Sequence, residues 1–170
     1  EGINYAIDIC EKQYTGLVIA NEADYFSAGA DLGTVFMLAG NRDFDSIEKS
    51  IDAFQKTIMR VRYSSVPVVV ATSGLALGGA CELSMHADAV QAHNETYMGL
   101  VELGAGLIPA GGGTKETVLR VSSEYSKGDP EFNKLMESFM TIASAKVSTS
   151  ALEAQEMGFF EKTTNTANRT

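Results

Sequence analysis

Gly74-Leu75-Ala76-Leu77-Gly78-Gly79-Ala80-Cys81-Glu82 sets the fold, because a strand runs into it and a helix runs out of it. The strand is Pro67-Val68-Val69-Val70-Ala71-Thr72, a β-branched run of the kind that packs inside a sheet. The helix spans Ala80 to His86. Gly78-Gly79 lets the chain turn sharply between the two without Cβ clashes. That requirement alone explains the glycines. The same turn also has a chemical use. With Gly79 at a helix N-terminus, unpaired N–H groups point outward and the dipole favours negative charge. Glu82 stands one turn further in, so a carboxylate lies beside a place suited to a developing oxyanion.

Upstream, Ile3, Ala6, Ile7 and Cys10 are spaced for one face of a helix. Leu17-Val18-Ile19-Ala20 reads as a short buried strand, and Asn21–Tyr25 as a loop. Phe26-Ser27-Ala28-Gly29-Ala30-Asp31-Leu32 is a small-residue segment at a strand end. It is readable as a plain turn with Asp31 as a helix N-cap. Most such stretches are no more than that; the other reading is a second donor site, with the Ala30 N–H exposed and Gly29 permitting an unusual backbone path. From Phe44 to Tyr63, Ile47, Ile51, Phe54, Ile58 and Val61 mark the longest helix, which Ser64–Pro67 ends.

Downstream, Ala87–His93 reads as a short strand. Thr96–Gly113 is glycine-rich, yet too long and too apolar for a solvated linker. Within it Glu102 is the only charged residue between Glu95 and Lys115. A carboxylate in such surroundings is costly unless it is paired, hydrogen-bonded or protonated. A raised pKa suits acid/base work near neutral pH. Helical patterns follow at Thr114–Val121, Glu131–Ser144 and Ser148–Met157, with a polar turn at Ser122–Pro130; Thr163–Thr170 is polar and reads as frayed. Helices alternating with short buried strands predict an α/β fold. No repeat or second domain is visible, so residues 1–170 read as a single domain core with an incomplete sheet.

The formal net charge of −9 repels nucleic acid and anionic membranes, which argues against both as partners. Cys10 and Cys81, with no CxxC spacing, fit a reducing, cytoplasmic compartment. Several constellations fail. Ser84, His86 and Asp88 cannot form a triad on one helix, because i and i+2 positions do not face each other. Gly111-Gly112-Gly113-Thr114-Lys115 lacks the Gly-Lys of a P-loop, and Gly104-Ala105-Gly106 has Pro109 where a dinucleotide fingerprint needs glycine. His86 and His93 have no metal-site spacing and read as surface or satisfied residues.

The phrases Phe26–Leu32, Ala76–Leu83 and Gly99–Gly113, in this order, resemble the crotonase (enoyl-CoA hydratase/isomerase) superfamily. With the Pro67 strand and Ala151–Gly158, the resemblance covers nearly the whole chain. Thr96–Glu102 and Ala145–Ala151 are similar to the hydratase part of bacterial 3-hydroxyacyl-CoA dehydrogenase fusions. The resemblance implies a crotonase-like spiral of ββα units. Family members carry further N-terminal strands and C-terminal helices, so the fold is expected truncated at both ends. It implies that the Ala30 and Gly79 N–H groups bind a thioester oxygen and that Glu82 and Glu102 are the catalytic acids and bases. Ser27, Ala28, Ala30, Asp31 and Leu32 are implied to line the coenzyme A path. Gly33 and Thr34 stand where many hydratases have a phosphate-binding lysine, which leaves Lys56, Arg60 and Arg62 as substitutes. The implied reaction is hydration of a trans-2-enoyl-CoA to a 3-hydroxyacyl-CoA in fatty-acid β-oxidation. No metal or redox cofactor is implied, since coenzyme A arrives as part of the acyl-CoA substrate. The implied partners are copies of the chain in a homo-oligomer, or fused dehydrogenase domains. The alternatives are an enoyl-CoA isomerase, which needs only the Glu102 carboxylate, a non-catalytic acyl-CoA-binding module, and a serine peptidase of the related spiral fold, which lacks its triad.

Overall fold

The computed structural model describes residues 1–130 and 132–160, with the backbone of 166–167. The elements run α1 (Gly2–Gln13), β1 (Leu17–Ile19), α2 (Leu32–Gly40), α3 (Phe44–Arg62), β2 (Val68–Leu77), α4 (Gly79–His86) and β3 (Ala89–Gly99). A 3-10 turn (Glu102–Ala105), α5 (Gly113–Glu124), α6 (Asn133–Ala143), α7 (Ala151–Glu156) and β4 (Thr166–Ala167) follow. The described strands form one parallel sheet in the order β1-β2-β3-β4. Parallel neighbours need crossovers, and helices supply the first two: α2 and α3 between β1 and β2, α4 between β2 and β3. No helix among the described residues is long and apolar enough to cross a membrane.

Two clusters form the core. Val68 and Val70 of β2 meet Ile7 of α1, Val61 of α3 and Leu83 of α4. Ala76 and Met98, further along the strands, meet Cys81, Met85, Val90, Ala92 and the α7 residues Ala151 and Ala154, with Phe159 and Phe160 closing the group. Phe26 packs against both. The stripe expected on α3 is therefore real at its C-terminal end, where Ile58 and Val61 are wholly buried.

What joins the clusters is a break in register. Thr72 pairs with Ala92 but Gly74 pairs with Thr96, so Ser73 alone faces three residues of β3. Such a bulge bends and twists the strand. Thr96 stabilises it through its hydroxyl, which donates to the His93 carbonyl at 2.7 Å. Beyond the bulge, Phe26-Ser27 takes the place beside β2 that β1 holds before it. Phe26 N–H donates to Ser73 O at 2.8 Å, Ser27 N–H to Leu75 O at 2.9 Å, and Leu77 N–H to Ser27 O at 3.0 Å. On the other edge Ser148 closes over β3, donating from its N–H to Met98 O at 2.8 Å and accepting the Met98 N–H on its hydroxyl at 2.9 Å.

Three expectations need correction. The strands expected at 67–72 and 87–93 run on to Leu77 and Gly99, because the small residues after the bulge are paired on both sides. Residues 32–40 form a helix that the sequence reading did not include; its exposed apolar residues, Leu32, Phe36 and Met37, show no buried stripe. Ser148–Ser150 precede the last helix instead of starting it, since Ser148 is tied to β3. Of the stretch expected to fray, residues 163–165 and 168–170 lie outside the described residues, while Thr166–Ala167 pair with Ala92–His93.

Gly74 has φ +59°, and a Cβ there would collide with the Asp24 carbonyl oxygen. Gly74→Ala is expected to destabilise by about 2 kcal/mol or more, from strain plus overpacking. Gly40→Ala, where a Cβ meets nothing within 4 Å, is expected to be neutral or stabilising. Urea unfolding of both variants checks this.

Candidate active site

The bend brings two glycine turns together. A Cβ on Gly29 would lie 3.1 Å from Leu77 O and 3.9 Å from the Gly78 Cα. The Gly29-Ala30 and Gly78-Gly79 turns thus abut at the C-terminal end of β2. Neither the Ala30 nor the Gly79 N–H has a backbone acceptor among the described residues. Gly78 is held in place by its own N–H, which donates to Gly99 O at 2.8 Å.

Both carboxylates singled out from sequence converge here. Glu82, on the first turn of α4, is 2% exposed. Its Oε1 accepts the Gly113 N–H at 2.9 Å. Its Oε2 lies against Gly111, where no Cβ could fit. Glu102 approaches from the 3-10 turn: a Cβ on Gly78 would sit 3.1 Å from its Oε1. The Glu102 Oε2 is buried with no hydrogen-bond partner among the described residues. Burial raises the pKa of Glu82, an effect that the N–H groups of Gly113, Gly111 and Gly112 oppose. Burial likewise pushes Glu102 up to about 7; its own backbone N–H opposes this and the Glu82 charge adds to it. Cys81, on the same turn of α4, is raised first by burial and then by both carboxylates. The two acids therefore share one desolvated site.

Phe54 is the residue that the sequence reading did not single out for this site. It looked like one more apolar position on the α3 stripe. Its ring instead stands where side chains on Gly79 and Gly111 would be, 2.9 Å from a Cβ on Gly79. The signal was indirect: two glycines far apart in sequence had to leave room for one large group.

The first glycine segment is built differently from its neighbour. Ser27 belongs to the sheet edge, and its hydroxyl accepts the Gly29 N–H at 3.2 Å. Ala28, Ala30, Asp31 and Leu32 are exposed beside it. Asp31 caps α2, accepting from Gly33 N–H at 3.0 Å and from the Thr34 hydroxyl at 2.6 Å. Those two bonds lower its pKa, the Thr34 bond most. The basic residues expected as phosphate contacts are engaged elsewhere. Lys56 pairs with Asp52, Arg60 with Asp8 and Glu11, and Arg62 with Glu116. Arg60 and Arg62 thereby tie α3 to α1 and to α5.

Ser84, His86 and Asp88 go to separate partners: the Ala80 carbonyl, the Glu82 carbonyl and the Val68 N–H. They form no triad. His86, expected at the surface or satisfied, is 2% exposed, with its Nδ1 on the Glu82 carbonyl.

The family model for enoyl-CoA hydratase/isomerase matches residues 4–168. The chain belongs to the enoyl-CoA hydratase/isomerase family. The crotonase fold expected from the three phrases is the one observed: an enoyl-CoA hydratase from Bacillus halodurans superposes with a TM-score of 0.82 at 14% identity, over 99% of this chain and 62% of that one. A Bacillus subtilis (strain 168) protein named "Probable 3-hydroxyacyl-CoA dehydrogenase" is 42% identical over 161 residues, which is 95% of this chain and 20% of that protein. A Rickettsia felis protein named "Putative fatty acid oxidation complex trifunctional enzyme" is 36% identical over 141 residues, 83% of this chain and 19% of that protein. The chain thus spans about a fifth of these curated relatives.

In this crotonase-fold site, Glu102 stays protonated in the folded chain up to about pH 7, whereas an unfolded glutamate ionises near 4.3. The folded state binds the extra proton between those values, so stability is highest below the lower one and falls as pH rises through the upper. Glu102→Gln is expected to flatten that fall. Comparing urea midpoints of wild type and variant at pH 5 and pH 8 tests it; equal pH slopes would remove the buried-acid assignment.

Proposed function

We propose that the chain hydrates trans-2-enoyl-CoA to 3-hydroxyacyl-CoA, as the hydratase part of a larger protein that also carries 3-hydroxyacyl-CoA dehydrogenase domains. The observation that carries the reaction is the pair of coupled, desolvated carboxylates, Glu82 and Glu102, beside two abutting glycine turns. The similarity to the dehydrogenase-named and trifunctional-named relatives supports the larger context.

The thioester oxygen takes the Ala30 and Gly79 N–H groups, which makes the β-carbon electrophilic. Each such donor, aimed where charge develops, contributes roughly 3 kcal/mol in comparable sites. Glu82, whose carboxylate accepts the Gly113 N–H, acts as the ionised base. It removes a proton from water as the water oxygen bonds to the β-carbon. Glu102, whose Oε2 lacks a partner, carries the proton that goes to the α-carbon. One water is consumed, one C–O and one C–H bond form, the C=C π bond is lost, and the proton taken by Glu82 returns to Glu102 before the next turnover. The two acids titrate as a coupled pair.

Glu82→Gln and Glu102→Gln are each expected to lower kcat by about 10²–10⁴-fold while enoyl-CoA binding survives. Loss of the enoyl absorbance under steady-state conditions measures it. Wild-type rates in both variants would sink the proposal. A Glu82→Gln variant that stops hydrating yet still moves a double bond would reassign the chain to isomerisation through Glu102.

A further inference from the structure

Behind Glu82, on the side away from the glycine turns, a second polar cluster is buried that the reaction above does not use. His86 stands one turn along α4 from Glu82. Its Nδ1 is 2.7 Å from the Glu82 carbonyl oxygen. A carbonyl only accepts, so Nδ1 carries the hydrogen. The other edge of the ring meets the Gly112 turn: a Cβ on Gly112 would be 3.0 Å from Cε1 and 3.1 Å from Nε2. Gly112, at φ +124°, adopts a backbone that side chains avoid, and it is followed by the Gly113 N–H that bonds the Glu82 carboxylate. The imidazole thus bonds the Glu82 main chain and also faces the turn that holds its carboxylate.

That turn is fixed from its far side by Glu116, one turn into α5 and 3% exposed. Glu116 Oε1 accepts from Arg62 of α3 at 2.7 Å and from Arg120 at 3.4 Å. Its Oε2 is 3.8 Å from His86 Nε2 and 3.6 Å from Lys115 Nζ. Neither the His86 Nε2 nor the Glu116 Oε2 has a hydrogen bond among the described residues. The start of α5 is thus tied to α3 through the Glu116–Arg62 pair, and the His86 ring lies between that carboxylate and the Gly112 turn.

We propose that His86, backed by Glu116, is a positioning residue for Glu82, fixing the Gly112-Gly113 turn so that its N–H stays aimed at the Glu82 carboxylate. The inference rests on the hydratase reading for its kinetic consequence, but not for its structural one. Misplacing a reacting group by as little as 1 Å can cost about 10²-fold in rate. Loosening one hydrogen bond to the base costs less.

The test uses His86→Ala and His86→Asn in the intact protein, with two readouts. The first is hydration of an enoyl-CoA. The alanine variant is expected to lose about tenfold or more in kcat, with KM within about threefold of wild type. The asparagine variant, whose amide N–H stands near the place of Nδ1–H, is expected to recover part of that loss. The second is hydrogen exchange at the Gly113 amide, expected to quicken about tenfold or more in the alanine variant while Val70 in the sheet exchanges as before. Unchanged kcat and unchanged Gly113 exchange would overturn the proposal. So would losses at Gly113 and Val70 in proportion, which mark general destabilisation. Should the alanine variant not fold, His86→Leu, which fills the space but offers no N–H donor, decides by the same criteria, with wild-type values in both readouts overturning the proposal. If wild type hydrates no enoyl-CoA, the reaction assignment falls, while Gly113 exchange still decides the role of His86.

Discussion

A carboxylate removed from water must find replacements for the hydration it loses, and the described structure gives Glu82 one close donor, the Gly113 N–H at 2.9 Å. Much of the surrounding architecture follows from that need. The donor sits at the start of α5, so α5 must begin beside α4. Glu82 sits on the first turn of α4, so β2 must end where it can turn at once into that helix. Phe54 crowds the same space, its ring beside the Gly111 position that the carboxylate also borders. Desolvation outweighs the donors that oppose it, which is why the acid is raised despite accepting hydrogen bonds.

The bulge at Ser73 is what makes this arrangement reachable from a parallel sheet. A straight β2 would keep β1 beside it along its length. By skipping three residues of β3 against one of its own, β2 turns its second half toward a new neighbour, Phe26-Ser27. The Gly29-Ala30 turn follows that neighbour immediately, so the pairing of Ser27 with Leu75 and Leu77 also sets where the turn lies relative to Gly78. Sheet register and site geometry are one constraint here.

The sequence made some of this legible and concealed the rest, for identifiable reasons. Val68-Val69-Val70 announced a buried strand because its side chains speak for it. Ser73–Leu77 did not, since small residues flanking a bulge look like a loop until both neighbours are known. Glu102 stood out as a lone charge in an apolar stretch, and burial raises its pKa as that isolation suggested. Glu116 gave no such signal. It lies next to Lys115 and four residues before Arg120, the pattern of a solvated helix face, and its burial depends on Arg62 arriving from another helix. His86 was read as ordinary because nothing local to α4 reveals that Gly112 comes to rest against its ring.

The distribution of cations explains why neighbouring buried acids behave differently. Burial pushes Glu116 upward as it does Glu82 and Glu102, yet the charges of Arg62 and Arg120 reverse the outcome and its pKa is lowered. No cation appears among the causes acting on Glu82 or Glu102. In a chain with 13 basic and 22 acidic residues, cations are in short supply, and three of them, Arg62, Lys115 and Arg120, converge on Glu116. The consequence is a division of roles by surroundings alone. Glu116 is fixed as an anion and serves as a permanent anchor. Glu82 and Glu102 are left to neutral N–H groups, and burial raises both. An arginine brought within contact of Glu82 or Glu102 would erase that difference, because a paired carboxylate is a poor proton donor. The two acids stay free of a cation only while the nearby positive charge is held on Glu116.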